Sequence, residues 1–367
     1  MMFFDGTGLE KNAFLQYIKS IAFNPSLFKE NKMSAIEKFA ERARSVARTI
    51  VLPEGQDPRV VVAANKAMAE KVAAKVIVLG TEAEIAEACA KGGVSERKFE
   101  CLDYMASPLL QEYAKQLYEK RKAKGLEMEK AVKMMSNRIY FGAMMCKNGA
   151  ADGLVAGSIA STADMLRAAF HCIGTAPGIK SASSTFVMDL AEPTESGDDV
   201  LLFSDCGVIP NPDANQLVDI AMATAKTYRS LLGKTPKVAF LSFSTKGSAE
   251  DDLLIKIREA AAEFARRVDE EKLDILCDGE LQADAAIVPS VGKAKAPGSA
   301  VAGQANVLIF PDLNAGNICY KLVQRLGKAQ AYGPVLQGLA MPLNDLSRGC
   351  SADDIYGEIV ITVCQSM

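Results

Sequence analysis

From residue 33 onward, short runs of β-branched and apolar residues alternate with longer amphipathic runs. The short runs predict β-strands and the longer runs predict helices, most of them ten or more residues long. Strands joined by such helices run parallel in a sheet that helices cover on both faces. The pattern therefore predicts an α/β fold built on a largely parallel sheet. The predicted strands are 49–52, 76–79, 99–102, 154–156, 185–190, 200–203, 238–243, 273–277, 307–310 and 333–336, and the predicted helices are 58–74, 82–90, 109–124, 128–147, 162–170, 214–232, 250–268, 315–326 and 352–364.

The first 32 residues differ from the rest, since they carry Phe-rich fragments and precede a second plausible start at Met33. We interpret 1–32 as an N-terminal extension and assign it no role. Asp5 follows the first four residues directly, so no apolar signal-peptide core is predicted. Further along the chain, 174–180 and 339–342 are the best candidates for domain boundaries.

The charge balance restricts the class of protein. Lys and Arg total 42 against 45 Asp and Glu, a net charge of −3. Binding to nucleic acid or to an anionic membrane surface needs a basic excess, so neither is expected. No apolar run approaches the roughly 20 residues that span a bilayer.

His171 is the sole histidine of the chain, which excludes a multi-histidine metal site. Its apolar neighbours in a helical stretch predict a core or edge histidine, so proton transfer should fall to other side chains. The nine cysteines lie at least twelve positions apart and form no CxxC motif. We expect reduced, mostly buried thiols in a cytoplasmic protein, and no metal site.

Four polar segments follow predicted strands, and ligands bind at the carboxyl ends of strands in open α/β sheets. In the first segment, 152–167, Ser161 or Thr162 opens a helix whose free N–H groups can hold an anion, and Arg167 lies in its second turn. A capped helix with a solvated Arg167 is the alternative interpretation. The second segment contains Lys246, and the third segment includes Asn314 and Asn317.

The fourth segment, 343–355, places a hydroxyl, a guanidinium and a carboxylate within eight residues: Ser347, Arg348 and Asp354. Ser351 is a natural N-cap, and Asp354 three residues later would complete a capping box, which is the purely structural interpretation of Asp354. Helix N-termini that recur beside Arg and hydroxyl groups indicate a phosphorylated ligand. They do not identify a reaction.

Several of these segments resemble the phosphate acetyltransferase family. The resemblance starts near residue 36, runs to the C-terminus, and rests on long motifs in the same order. These motifs are VLPEGQDPR (51–59), DGLVAGSIASTADMLR (152–167), LSFSTKGSA (241–249), DGELQADAA (278–286), KAPGS (295–299), NAGN (314–317) and NDLSRGC (344–350).

The resemblance implies a fold of two α/β/α domains with a cleft between them, related to the isocitrate and isopropylmalate dehydrogenases. The first domain would comprise 33–178 and 339–367, and the second would comprise 179–338. The family is typically a homodimer joined through the second domain. The implied reaction is acetyl-CoA + phosphate ⇌ CoA + acetyl phosphate, with no cofactor apart from these substrates and with functional coupling to acetate kinase.

Matching positions imply a role for each site residue. Asp354 would take the proton of the CoA thiol, Ser347 would stabilise the oxyanion, and Arg348 would hold the phosphate or carbonyl oxygen. Arg121 and Arg167 would belong to the CoA site, where Arg suits the phosphate groups. The other polar candidates are expected to contact acetyl phosphate or phosphate: Ser161, Thr162, Lys246, Asn314 and Asn317.

Alternatives remain at this stage. One is an acyltransferase that prefers butyryl phosphate, another is a non-catalytic acyl-CoA-binding module, and a third is a dehydrogenase of the related fold, which would need a nucleotide site. Cys350 could in principle carry the acetyl group. However, CoA is itself a thiol nucleophile, so direct attack in a ternary complex is predicted.

Overall fold

The computed structural model of the chain describes residues 33–367, and the predicted extension 1–32 lies outside the described residues. Residues Ala35–Met367 form one compact unit. In chain order its elements are α1 (Ala35–Ala43), β1 (Thr49–Leu52), α2 (Pro58–Ala69), β2 (Lys75–Leu79), α3 (Glu82–Gly92), β3 (Glu100–Leu102), α4 (Leu109–Arg121), α5 (Met128–Met135), α6 (Arg138–Lys147), β4 (Gly153–Ala156), α7 (Thr162–Ala168), β5 (Ser183–Asp189), β6 (Val200–Ser204), α8 (Ala214–Leu232), β7 (Lys237–Leu241), α9 (Asp252–Glu270), β8 (Leu276–Leu281), α10 (Ala283–Ile287), α11 (Pro289–Lys295), β9 (Val307–Ile309), α12 (Leu313–Leu326), β10 (Gln330–Gln337), β11 (Leu343–Asp345) and α13 (Ala352–Gln365).

The strands form two sheets. The first has the order β11-β4-β1-β2-β3 and is parallel throughout. The second has the order β10-β5-β6-β9-β7-β8, in which β5 runs antiparallel to both of its neighbours. No helix lies between β5 and β6, so their connection returns the chain antiparallel. The α/β prediction is confirmed, although one side of the second sheet is not parallel.

Helix α13 packs against elements of both sheets. It contacts the helices α1, α2 and α8 and the strand β10, as well as β4 and β1 of the first sheet. Its residues 355–364 are all buried, and each fully buried aliphatic side chain contributes about 1.5–3 kcal/mol. The amide of Asn344 adds a polar link, since it accepts from Leu336 N and donates to Thr362 Oγ1 at 2.8 Å. The turn before α13 is therefore held on well-anchored elements.

Several element boundaries differ from the sequence prediction. The helix predicted at 128–147 is two helices, because the Asn137 side chain accepts from Ile139 N and Tyr140 N and starts a new one. The helix predicted at 162–170 continues beyond Ala168 as a π-helical turn, Ala169–Ile173. Strand β11 has three residues and was not predicted, because so short a run carries no periodic signal.

Candidate active site

Three neighbouring strands of the first sheet end at one edge. Because β11, β4 and β1 are parallel and adjacent, the segments that follow them meet there. Glu54 follows β1, Gly157 follows β4, and Ser347 lies just beyond β11. Adding a Cβ at Gly157 would place it 2.4 Å from Asp345 Oδ1 and 2.6 Å from Leu346 N. Only glycine therefore allows the loop after β4 to lie this close to the segment carrying Ser347.

The carboxylate of Glu54 organises the loop after β4. One oxygen accepts from Gly157 N, Ser158 N and Ser158 Oγ at 2.8–2.9 Å. The other accepts from Ile159 N and Ala160 N at 3.0 and 2.8 Å. Glu54 is buried, and these charge-assisted bonds satisfy a carboxylate that would otherwise be costly to bury. The N–H groups of this loop are thus already occupied by the protein itself.

The structure places Ser161 and Thr162 at the start of α7, where both hydroxyls have partners. Ser161 Oγ accepts from Asp164 N and donates to the Asp164 carboxylate at 2.8 Å. Thr162 Oγ1 donates to Asp345 Oδ2. The Ser161 bonds form the helix cap predicted as the alternative to an anion site, whereas the Thr162 bond is a contact with β11. Phosphate contact by either hydroxyl stays a prediction.

Arg59, in the first turn of α2, joins two parts of the site. Its Nη2 donates to Asp57 Oδ2 at 2.7 Å and to the carbonyl oxygen of Ser158 at 3.0 Å. Its Nη1 donates to the carbonyl oxygens of Arg348 and Cys350 at 2.9 and 2.7 Å. Burial opposes ionisation of Asp57, but the hydrogen bonds from Arg59 outweigh it and lower the Asp57 pKa. This ion pair keeps the guanidinium aimed at both loops.

Sequence reasoning missed Arg59, although it ends the motif at 51–59. The local signal was the Asp57 N-cap with Pro58 at the first helical position, which sets the first turn of α2. That signal does not show which distant carbonyl groups the guanidinium meets.

Ser347 and Arg348 are exposed at the turn before α13. Ser347 Oγ accepts a bond from Gly349 N at 3.3 Å, which leaves its proton available to donate. Among residues 33–367, the Arg348 guanidinium makes no hydrogen bond or ion pair, while Arg59 holds its backbone. The structure thus combines a fixed main chain with a cationic side chain that no carboxylate neutralises.

Asp354 lies in the first turn of α13, close in sequence to these two residues. One of its oxygens accepts from Ser351 N and from Ser351 Oγ, both at 2.8 Å, and Asp354 N donates to Ser351 Oγ at 3.1 Å. This is the capping box expected from the spacing. The side chain is exposed, and its second oxygen has no partner in the described part of the chain. The cap therefore orients the carboxylate and leaves one oxygen for a ligand.

Two further carboxyl groups are buried near this turn. Asp345 and Glu358 are 3% and 5% exposed, and one oxygen of each has no hydrogen-bond partner among the described residues. Burial raises the pKa of Asp345 to about 6, with a further contribution from Glu54 against the bond from Thr162. Burial, Asp345 and Asp354 raise the pKa of Glu358 to about 8. Glu358 is therefore largely protonated at neutral pH. Sequence reasoning missed it, because a glutamate in a predicted helix is typical of an exposed position.

Arg121 and Arg167 line one cavity of about 430 Å³, together with Lys124, Lys130 and the Tyr140–His171 pair. None of its lining residues within 33–367 is acidic. Arg167 bonds to Asp164 Oδ1 at 2.8 Å, whereas the Arg121 guanidinium has no hydrogen-bond partner within residues 33–367. The two arginines predicted for a CoA site are thus brought together, in surroundings suited to a phosphate group.

The remaining candidates lie at the carboxyl edge of the second sheet, after β7 and β9. Lys246 forms an ion pair with Asp278 and donates to the carbonyl oxygen of Gly279. Asn317 Nδ2 donates to the carbonyl oxygen of Cys206 at 3.0 Å, and Asn314 is exposed in the first turn of α12. Within the described residues, no hydrogen bond connects these three to the Ser347–Asp354 turn. Their contact with phosphate stays a prediction.

Residues 33–367 contain no group of three or more His, Cys, Asp or Glu side chains arranged to hold a metal ion. None of their helices combines the length and the apolar character needed to cross a membrane.

Comparisons with known proteins agree with this architecture. The family model described as "Phosphate acetyl/butaryl transferase" matches residues 34–363. A phosphate acetyltransferase from Acetivibrio thermocellus is 49% identical, over 91% of this chain and 98% of that protein. The solved structure of EutD phosphotransacetylase from Staphylococcus aureus is 42% identical with a TM-score of 0.84, over 91% of this chain and 98% of that one.

A more distant structure is informative about the fold alone. A 4-hydroxythreonine-4-phosphate dehydrogenase from Klebsiella pneumoniae has a TM-score of 0.50 at 11% identity, over 88% of this chain and the whole of that one. A dehydrogenase therefore shares the general fold, while the relation to the isocitrate and isopropylmalate dehydrogenases stays a prediction.

The family model and the relatives define an enzyme of the acyltransferase class. More specifically, the chain belongs to the phosphate acetyl/butaryl transferase family, and the family predicted from the sequence motifs is confirmed.

Proposed function

We propose that the protein is a phosphate acetyltransferase that transfers an acetyl group reversibly between acetyl phosphate and CoA. The observation that carries the proposal is the arrangement around α7. Its first residue, Thr162, bonds to Asp345 beside the Ser347–Arg348 turn, and Arg167 of the same helix lines the basic cavity. A substrate with a reacting thiol at one end and phosphates at the other fits such a pair of sites.

In the proposed reaction, the CoA thiol gives its proton to the free oxygen of Asp354 as its sulfur attacks the acetyl carbonyl carbon. A C–S bond forms, and the C–O bond to phosphate then breaks. Arg348 and the Ser347 hydroxyl stabilise the negative charge on the carbonyl oxygen and the departing phosphate. A free thiol has a pKa of about 8.5, so a positioned carboxylate lowers the barrier by accepting the proton during attack.

Direct attack is preferred to a covalent acetyl-Cys350 intermediate. Burial raises the Cys350 pKa, and Asp354 adds to that effect although Arg59 opposes it. The thiol is thus predominantly protonated and a poor nucleophile at neutral pH. We expect Cys350→Ala to retain substantial activity and double-reciprocal plots to intersect. Parallel lines, together with a trapped acetyl-enzyme that Cys350→Ala abolishes, would establish the covalent route instead.

Acetyl specificity rests on the relatives, since those at 43–49% identity are named phosphate acetyltransferases, whereas the family model covers butyryl transfer too. The test is thioester formation from CoA with acetyl, propionyl and butyryl phosphates. The reverse reaction is followed by converting acetyl phosphate to ATP with ADP and acetate kinase, the predicted metabolic partner. A higher kcat/KM with butyryl phosphate would reassign the substrate, and no thioester from any of them would refute the function.

The proposal includes a homodimer that buries an apolar stripe on α12. Ile318, Leu322 and Leu326 lie four residues apart on one helix face and are 58%, 52% and 78% exposed. A second copy of the chain is the expected partner, because the resemblance implies joining through this part of the sequence. Light scattering should give twice the mass of one chain, and Leu322→Asp should shift the equilibrium from the dimer toward the monomer. A wild-type mass of one chain at micromolar concentration would contradict the dimer.

A further inference from the structure

The chain's sole histidine lies in the basic cavity and not in the core. His171 belongs to the π-helical turn Ala169–Ile173, and it lines the cavity together with Arg121 and Arg167. Its ring is partly exposed. The prediction of a core or edge histidine is therefore incomplete, because the side chain reaches a candidate ligand site.

Tyr140 orients the imidazole. The Tyr140 hydroxyl lies 2.9 Å from His171 Nδ1, and burial raises the pKa of Tyr140 to about 12, so it remains a phenol. A phenol donates to Nδ1 of a neutral imidazole, and it accepts from Nδ1–H of an imidazolium. The contact therefore survives protonation of the ring. When Tyr140 donates to Nδ1, the neutral ring carries its proton on Nε2, and the imidazolium carries a proton on both nitrogens. Nε2 has no partner among residues 33–367.

The charges around His171 come from each element packed against it. Helix α4 and the turn after it contribute Lys120, Arg121 and Lys124, and α7 contributes Arg167. Burial, followed by these four cations, lowers the His171 pKa. Lys130 of α5 also lines the cavity, and Arg167 pairs with Asp164 of its own helix.

A ligand that carries two negative charges would counteract the lowering of the His171 pKa. A dianion in the cavity offsets the positive field that the four cations exert on His171. Adding a proton to the His171 ring then becomes favourable. A phosphomonoester carries between one and two negative charges near neutral pH and accepts hydrogen bonds on three oxygens.

We propose that His171, held by Tyr140, binds the phosphomonoester of CoA through Nε2 and gains a proton when CoA binds. This inference rests on the proposed function, because it assigns CoA to the cavity. His171 would be a binding residue that makes CoA affinity depend on pH, while Arg121 and Arg167 supply the permanent charge.

The test compares wild type with His171→Gln, whose amide can donate a hydrogen bond but cannot gain a charge. The KM for CoA should rise roughly threefold to tenfold in the variant at about pH 6, and should differ by less than about twofold at about pH 8.5. Dephospho-CoA lacks the phosphomonoester, so wild type and variant should show equal KM values for it at both pH values. Lys115→Gln is the charge-matched control, since Lys115 is exposed on α4 and does not line the cavity.

A second measurement does not depend on turnover. Calorimetric titration of CoA in buffers with different ionisation enthalpies counts the protons taken up on binding. Near pH 7, the wild type should take up more protons per CoA than His171→Gln does. The phosphate's own titration is common to both proteins, so it cancels in the difference.

The proposal is overturned by equal proton counts in the two proteins, by equal KM values for CoA at pH 6, or by the same KM difference with dephospho-CoA. None of these results alters thioester formation by the wild type at neutral pH, which tests the proposed function separately.

Discussion

Arg59 Nη1 lies 2.7 Å from the carbonyl oxygen of Cys350, a residue 291 positions away in the sequence. The same guanidinium also holds the Arg348 and Ser158 carbonyl groups. One side chain thus sets the distance between the loop after β4 and the turn that carries Ser347 and Arg348. Its donor bonds to the carbonyl groups of both loops explain why an arginine stands here, since an ammonium cannot reach both loops in one geometry.

We expect Arg59→Lys to lower kcat by roughly tenfold to a hundredfold, because misplacing catalytic groups by about 1 Å has effects of this size. The KM for CoA should change less, since Arg59 does not line the basic cavity. Steady-state kinetics check this, with thermal melts to show that the variant folds. An unchanged kcat would mean that the Arg348–Cys350 turn holds its shape without Arg59.

Arg348→Lys should lose most of the activity even though it keeps the positive charge. A planar guanidinium can bond two oxygens of the phosphate or carbonyl group at once, whereas an ammonium acts as a point charge. Because the wild-type side chain is exposed and makes no bond within the described chain, stability should not change. The measurement is kcat/KM for acetyl phosphate, and a near wild-type value would remove Arg348 from the reaction.

Asp354→Asn should lower kcat by roughly 10²–10⁴, the usual contribution of a general base. The KM for acetyl phosphate should change little. The capping role of Asp354 predicts a separate loss of stability of up to about 1 kcal/mol. The steady-state rate of thioester formation and the thermal unfolding must therefore be measured on the same preparation.

Ser351→Ala is the matched control for the cap. It removes the hydroxyl that Asp354 bonds, at a cost of about 0.5–2 kcal/mol, but it keeps the carboxylate. If Ser351→Ala lost as much kcat as Asp354→Asn, orientation of the turn rather than proton transfer would account for both.

Arg121→Ala and Arg167→Ala should each raise the KM for CoA more than the KM for acetyl phosphate. Both side chains line the basic cavity, away from the Ser347–Asp354 turn. The larger effect is expected at Arg121, because Arg167 already shares its charge with Asp164. Comparison with dephospho-CoA shows whether the arginines contact the phosphomonoester. If the KM values for CoA and for dephospho-CoA rise equally in both variants, neither arginine binds it.

Glu358→Gln should reduce the pH dependence of stability. The Glu358 pKa is raised to about 8 in the folded protein, so the folded state holds a proton that the unfolded state releases above its ordinary carboxyl pKa of about 4.3. The stabilisation is complete below that lower value and is lost as the pH rises toward 8. The loss should be on the order of a few kcal/mol in the wild type.

Urea unfolding at a series of pH values measures this slope. Asp345 contributes in the same direction, with a pKa raised to about 6, so Glu358→Gln should keep part of the dependence. Identical slopes in the two proteins would show that Glu358 is ionised in the folded state.

Local patterns determined much of this protein. Hydrophobic periodicity predicted most helices and strands because it reports which face of each element is buried. The capping box of α13 and the N-cap of α2 were readable because their partners lie within three residues. The long motifs identified the family, and they included Arg167, Ser347 and Arg348, although they did not show how these groups face one another.

The tertiary structure decided the contacts between segments far apart in the chain. Glu54 accepts hydrogen bonds from the loop after β4, about a hundred residues further along the chain. Arg59 donates to the carbonyl oxygen of Cys350, near the C-terminus. No local spacing encodes either bond, since the strand order β11-β4-β1 creates it. The same holds for His171, whose apolar neighbours point to burial, while the packing of α4, α6 and α7 leaves its ring in a cavity of positive charge. Periodicity is a property of one element, whereas the chemistry of a site depends on which elements become neighbours.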